Sequence, residues 1–212
     1  MNKRLGKVFI DTNIIKHAAD FRSSNVFQWI CDLYELVYVH QGVYDELILG
    51  SLKSIVDQLI KNNDWILFNP YDDHTLTDDE YAIYDSLHQD VISAFERLDT
   101  KKESEGRIIK GTKNYGEISS ITACLFLGAN LICSNDQDIR EVINDEHYII
   151  VDEENDSERM IIQDTLSDFC YYCVEQGVAS KKEAKRFFKA SLAGDNKLSE
   201  KLNILNERWR SI

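Results

Sequence analysis

At 212 residues the chain has room for one domain, or one domain with an appendage. Its hydrophobic share of 43% supports a real core and excludes wholesale disorder. A net charge of −13 argues against a broad nucleic-acid surface, which needs lysine and arginine, and no apolar stretch approaches the ~18–20 residues that span a bilayer.

The first residues, Met1 to Lys7, are basic and run straight into a short strand with no leader-like apolar segment, so a cytoplasmic protein is expected. Strands are predicted at 7–10, 36–40, 65–68, 130–133 and 148–151, with helices in most of the gaps. Thr77 and Glu80 have capping-box spacing, so a helix starts there and continues toward Arg97, with Ile83, Leu87, Val91 and Phe95 along one face. The stretch 100–112 is polar and glycine-punctuated and reads as a loop beside the site. Residues 114–127 are almost free of charge after Glu117 and predict a helix buried on several sides, with Gly128 as its stop. Strands alternating with helices predict an α/β fold, a central parallel sheet of four to five strands flanked by helices.

Beyond about residue 152 the pattern becomes helical, at 160–175, 181–192 and 197–209, with a second capping box at Ser180 and Glu183. Two units are expected: a core over 1–151 and a helical extension over 152–212. The extension carries an apolar stripe (Ile161, Leu166, Phe169, Cys170, Cys173, Phe187, Phe188, Leu192, Leu202, Leu205 and Trp209), which suits packing on the core or self-association. Of five cysteines, Cys170 and Cys173 have redox-motif spacing. They lack a second pair and read, like Cys124 and Cys133, as core residues of a reducing compartment.

Charge is patchy. Acids gather at Asp72, Asp73, Asp78, Asp79 and Glu80, and at Asp152, Glu153, Glu154, Asp156 and Glu158. Bases gather at Lys101, Lys102, Arg107, Lys110 and Lys113, and at Lys181, Lys182, Lys185, Arg186 and Lys189. The first basic group is the expected contact for an RNA backbone.

Four acids stand where a site would form. Asp11 ends the first strand, Glu46 follows the second, Glu117 opens the buried helix, and Asp136 follows the fourth strand with Asp138 close by. Strand C-termini of a parallel sheet share one edge, where such folds bind ligands. Several carboxylates there raise one another's pKa, and a hard divalent cation such as Mg²⁺ or Mn²⁺ relieves the repulsion. No His or Cys lies near them at zinc spacing. Each acid also has a simpler role as a helix cap or first-turn acid. His17 and His40 are within reach of the cleft but read as structural.

Val8-Phe9-Ile10-Asp11-Thr12-Asn13, Val43-Tyr44-Asp45-Glu46-Leu47, Gly116-Glu117 with its apolar helix, and Leu131-Ile132-Cys133-Ser134-Asn135-Asp136-Gln137-Asp138 follow one another in an order that resembles the PIN-domain nucleases. That family includes the toxin ribonucleases of toxin–antitoxin pairs. The resemblance spans roughly residues 6–151. It implies a Mg²⁺- or Mn²⁺-dependent phosphodiesterase, usually an endoribonuclease, acting as a toxin or defence effector and checked by a protein inhibitor or antitoxin. It carries catalytic and metal-binding roles onto Asp11, Glu46, Glu117 and Asp136, with Asp138 auxiliary and Thr12, Asn13 and Ser134 in support. A structure-specific DNA nuclease and a non-catalytic scaffold of the same fold are the alternatives. A receiver-like protein with Asp11 as nucleophile lacks the second acid two residues on.

Overall fold

The computed structural model describes residues 3–110, 114–152 and 157–212. Five strands form a parallel sheet in the order β3-β2-β1-β4-β7: β1 (Arg4–Ile10), β2 (Tyr34–His40), β3 (Ile66–Phe68), β4 (Leu131–Cys133) and β7 (Ile162–Asp164). Val8, Phe9 and Ile10 are all fully buried, as expected of a central strand covered on both faces. The two-residue side-chain period divides them. Val8 and Ile10 enter the core shared by α1 (Thr12–Asp20), α2 (Val26–Leu33), α4 (Gly50–Lys61), α8 (Leu166–Glu175), α9 (Lys181–Ser191) and α10 (Leu198–Arg208). Phe9 enters the opposite core with α5 (Asp78–Ser104), α6 (Tyr115–Leu127) and α7 (Gln137–Glu146).

Strand order reverses between β1 and β4. The chain steps outward from β1 to β2 and β3, then returns to place β4 on the other side of β1. This switch point opens a crevice at the carboxyl ends of β1 and β4, the ligand-binding place of open parallel sheets.

Local chemistry explains most helix boundaries. Thr77 and Glu80 close a capping box at the start of α5, and Ser180 and Glu183 do so for α9. Gly128 ends α6 with φ of 62°, in the left-handed region that a side chain makes costly. On α5 the buried face is Tyr84, Val91, Ala94, Phe95, Leu98 and Lys102, whereas Ile83 is 57% exposed, so the predicted stripe is rotated at its first turn. The predicted loop at 100–112 is partly helix, because α5 continues through Ser104.

Two further expectations are corrected. The segment near 148–151 is a strand, as expected, but it does not belong to the central sheet. β5 (Ile149–Asp152) pairs antiparallel with β6 (Ser157–Met160) in a separate ribbon, and Ile149 and Val151 are exposed while Ile150 is buried. That alternation marks a half-solvated ribbon, not a doubly covered strand. The fifth sheet strand is β7, from a stretch predicted to be helix. α8 starts only at Leu166, after a capping box of Thr165 and Asp168. Three residues are too few to show a period. A division after residue 151 therefore cuts the sheet.

The apolar stripe of the extension is covered by the protein itself: Leu166, Phe169, Cys170, Cys173, Phe187, Phe188, Leu192, Leu205 and Trp209 are buried in the core with Val8 and Ile10, and Leu202 packs against them. Among the described residues no helix is long and apolar enough to cross a membrane.

Candidate functional site

Asp11 is the first residue past β1 and the N-cap of α1, and Asp136 plays the same part for α7 just past β4. In each, one carboxylate oxygen accepts from the helix: Thr12 N–H donates to Asp11 Oδ1 at 2.7 Å, and Asp138 N–H to Asp136 Oδ1 at 2.9 Å. The cap leaves the second oxygen for other partners, so capping and a place in the crevice coexist.

Ser134 ties the two corners together. Its hydroxyl donates to Asp11 Oδ2 at 2.6 Å and accepts from Asp136 N–H at 3.1 Å. Asn13 adds a second tie, its amide donating to Asp11 Oδ2 and its Oδ1 accepting from Asn135 N–H at 3.2 Å. Gln163 of β7 clamps the backbone below, donating to the carbonyls of Ser134 (2.9 Å) and Asp136 (2.5 Å). The Asn135 and Asp136 backbone is thus held from the β1 and β7 sides.

Glu46 follows the short helix α3 (Gln41–Asp45) and accepts from the Thr12 hydroxyl at 2.7 Å. It also lies against Gly116 at the start of α6, where a Cβ would stand 3.0 Å from Glu46 Oε1. The missing side chain lets Glu46 come close to the turn that carries Glu117. Glu117 in turn hydrogen-bonds Asp136 and feels the charge of Asp11. The structure therefore brings together Asp11, Glu46, Glu117 and Asp136, with Thr12, Asn13 and Ser134 between them.

The electrostatics follow from this crowding. Burial pushes Asp11 up to about 6 against the donors on it, with Glu46 and Asp136 adding repulsion. Burial, then the hydrogen bond shared with Asp136, pushes Glu117 up to about 8. Burial alone would raise Asp136 too. The hydrogen bond from Glu117 and that from Lys110 outweigh it and leave Asp136 below its ordinary value. Glu117 and Asp136 titrate together, with Glu117 the member pushed toward its protonated form and Asp136 the one kept ionised. Among the described residues no group of three or more Asp, Glu, His or Cys stands at metal-ligand spacing. The partners the acids do have are backbone N–H groups, hydroxyls, an amide and lysines.

Asp138 and the first basic group need correction. Asp138 is 5% exposed and is held by Lys102 Nζ at 2.8 Å and Lys110 Nζ at 3.1 Å, so its charge is already met by two cations inside the protein. Lys102 is itself 3% exposed and cannot reach an RNA backbone. Lys101 pairs with Asp145 (2.6 Å) and Glu141 (3.0 Å), Arg107 grips Glu141 through two bonds, and Lys110 pairs with Asp136. Lys113 lies outside the described residues, as do Glu153, Glu154 and Asp156 of the second acidic patch. His40 is a buried structural residue: Nδ1 accepts from Gly42 N–H at 2.9 Å, Nε2 meets Tyr84 Oη at 2.8 Å, and burial next to His88 drops its pKa to about 3.

The sequence gives no sign of Gln163, and it offers Lys102 and Lys110 as RNA contacts where the fold turns them onto Asp138 and Asp136. Gly116 beside Glu117 was the one visible signal, a residue without a side chain where an acid must approach. Next to Glu46 a pocket of about 340 Å³ is lined by Gly42, Asp45, Tyr71, His88, Tyr115 and Ser119. No family model, no curated protein and no solved structure matches the chain.

Proposed function

We propose that the protein is a Mg²⁺- or Mn²⁺-dependent endoribonuclease of the PIN-domain kind, a toxin or defence effector held in check by a protein inhibitor. The observation that carries this is the meeting of four carboxylates from distant parts of the chain at the switch point of the sheet, two of them with raised pKa values. A structural role explains two helix caps. It does not explain why Glu46 and Glu117 are brought to the same crevice, at an electrostatic cost that only protons or a cation relieve.

The donor set fits a hard cation: it is all oxygen, acidic and partly buried. Asp11, Glu46, Glu117 and Asp136 would hold it. When bound, a divalent cation acidifies a water and stabilises charge on the phosphate and the leaving oxygen. The chain's own residues do the rest. Ser134 and Asn13 fix the Asp11 carboxylate by donating to its Oδ2, and the Thr12 hydroxyl orients Glu46. Glu117, whose burial favours its protonated form, would have to lose that proton to serve as a ligand beside Asp136. Hydrolysis then forms one phosphorus–oxygen bond from water and breaks one to the leaving ribose oxygen.

Incubating single-stranded RNA with the protein and Mn²⁺ tests this. Wild type should cleave internally, and Asp11→Asn should be slower by at least about 100-fold. Equal rates, or an inert wild type that binds Mn²⁺ normally, would end the proposal. Parallel DNA substrates separate a ribonuclease from a DNA nuclease.

A further inference from the structure

The two basic groups seen in the sequence have opposite fates. Lys101, Lys102, Arg107 and Lys110 are all paired with carboxylates. The group on α9 is not. Lys181, Lys182 and Lys185 line a pocket of about 560 Å³ with Asn206, Trp209, Arg210 and Ile212, and no Asp or Glu side chain is among its lining residues. Lys181 Nζ donates to the Trp209 carbonyl at 2.6 Å and Lys185 Nζ to Asn206 Oδ1 at 3.3 Å, both neutral partners. The nearest acid on the helix, Glu183, is turned to Ser180 and Ser24. The buried indole N–H of Trp209 has no acceptor. In a chain with 37 acids and 24 bases, four cationic side chains line one hollow with no acidic side chain among them, an excess of positive charge that suits an anion from outside.

We propose that this pocket binds the phosphate backbone of single-stranded RNA. Ammonium groups with free donors suit phosphate oxygens as point charges. A membrane surface fits less well, because the apolar face of α9 (Ala184, Phe187 and Phe188) is buried and offers nothing to insert. The pocket is separate from the crevice: none of the four carboxylates lines it, and its helix meets the segment after α1 through Glu183 and Ser24. It is an anchoring site for a strand several nucleotides long, and as such it rests on the ribonuclease reading.

The test is binding of a labelled 20-nucleotide RNA to the full chain with divalent metal chelated, so that no cleavage is needed. The variant is Lys182→Glu with Arg210→Glu, since neither side chain makes a hydrogen bond or ion pair among the described residues. Affinity should fall at least tenfold, and the slope of log affinity against log salt should shrink by about 1.4. Lys101→Gln with Arg107→Gln should leave binding unchanged. With metal restored, cleavage of a trinucleotide, too short to reach the pocket, should be the same in wild type and the Lys182/Arg210 variant. Unchanged RNA affinity in that variant, loss in the Lys101/Arg107 variant instead, or a variant defect confined to phosphatidylserine vesicles or to inorganic phosphate would each overturn the proposal. Inert protein that still binds RNA through the pocket would remove the nuclease reading and leave the anchoring site standing.

Discussion

Asp11 and Asp136 occupy matching places, each just past a central strand and each capping the next helix, yet their charges are met differently. Asp136 has a cation, Lys110, and a hydrogen bond from Glu117, and together they hold its pKa below the ordinary value. Asp11 has only neutral donors from Thr12, Asn13 and Ser134, with Glu46 nearby, and its pKa is high. Behind Asp136, Lys102 and Lys110 neutralise Asp138; among the described residues nothing comparable stands behind Asp11. The β4 corner is a built-in ion-pair network, and the β1 corner has no such cation among the described residues. Identical sequence settings thus differ by charges that arrive from α5 and the segment after it.

The strongest way to break this contrast is to unpair the β4 corner. Lys102→Met leaves Asp138 buried without its closest cation and should cost about 3–5 kcal/mol in urea unfolding. Adding Asp138→Leu should recover most of that loss. If the single variant is as stable as wild type, the pair is not a structural one.

Ser134→Ala probes the link between the corners. It removes the hydroxyl donor on buried Asp11 and the acceptor for Asp136 N–H, and should cost about 2 kcal/mol. It should also push the Asp11 pKa higher.

The pH dependence sharpens the β1 side. The folded pKa of Asp11, about 6, lies above the unfolded value near 3.9, so the folded protein holds the extra proton between them. This group's contribution to stability therefore falls as pH rises from about 4 to 6 and stays lost above. On the proposed reading a divalent cation would take over from the proton. The rise in Tm on adding Mn²⁺ should be small at pH 5.5 and larger at pH 8, and the pH effect should weaken in Asp11→Asn. An equal rise at both pH values would contradict it.

The smallest expected effect lies with Lys110, which competes with any cation for Asp136. Lys110→Ala should tighten Mn²⁺ binding by about three- to fivefold, read by calorimetry. Weaker binding would show that Lys110 supports the site.

Much of the fold was legible because β1 to β4 are apolar runs and the capping boxes at Thr77 and Ser180 are local signals. β7 was not, since three residues carry no period and pairing with β4 is a long-range choice. The acids themselves were legible, because a parallel sheet puts strand tips on one edge. What neutralises them was not. Lys102 sits on a long helix in a run of charged residues, and only its packing shows that it faces Asp138 rather than water. Equally, the sequence shows two similar basic groups, and only the fold shows which one is paired.

The account stands or falls on whether the crevice holds a divalent cation. Calorimetric titration of Mn²⁺ into the metal-free protein at pH 7.5 should give saturable binding with proton release, weakened at least tenfold by Asp11→Asn, whose folding is checked by its melting curve. No saturable heat up to millimolar Mn²⁺, or equal affinity in both proteins, would contradict it.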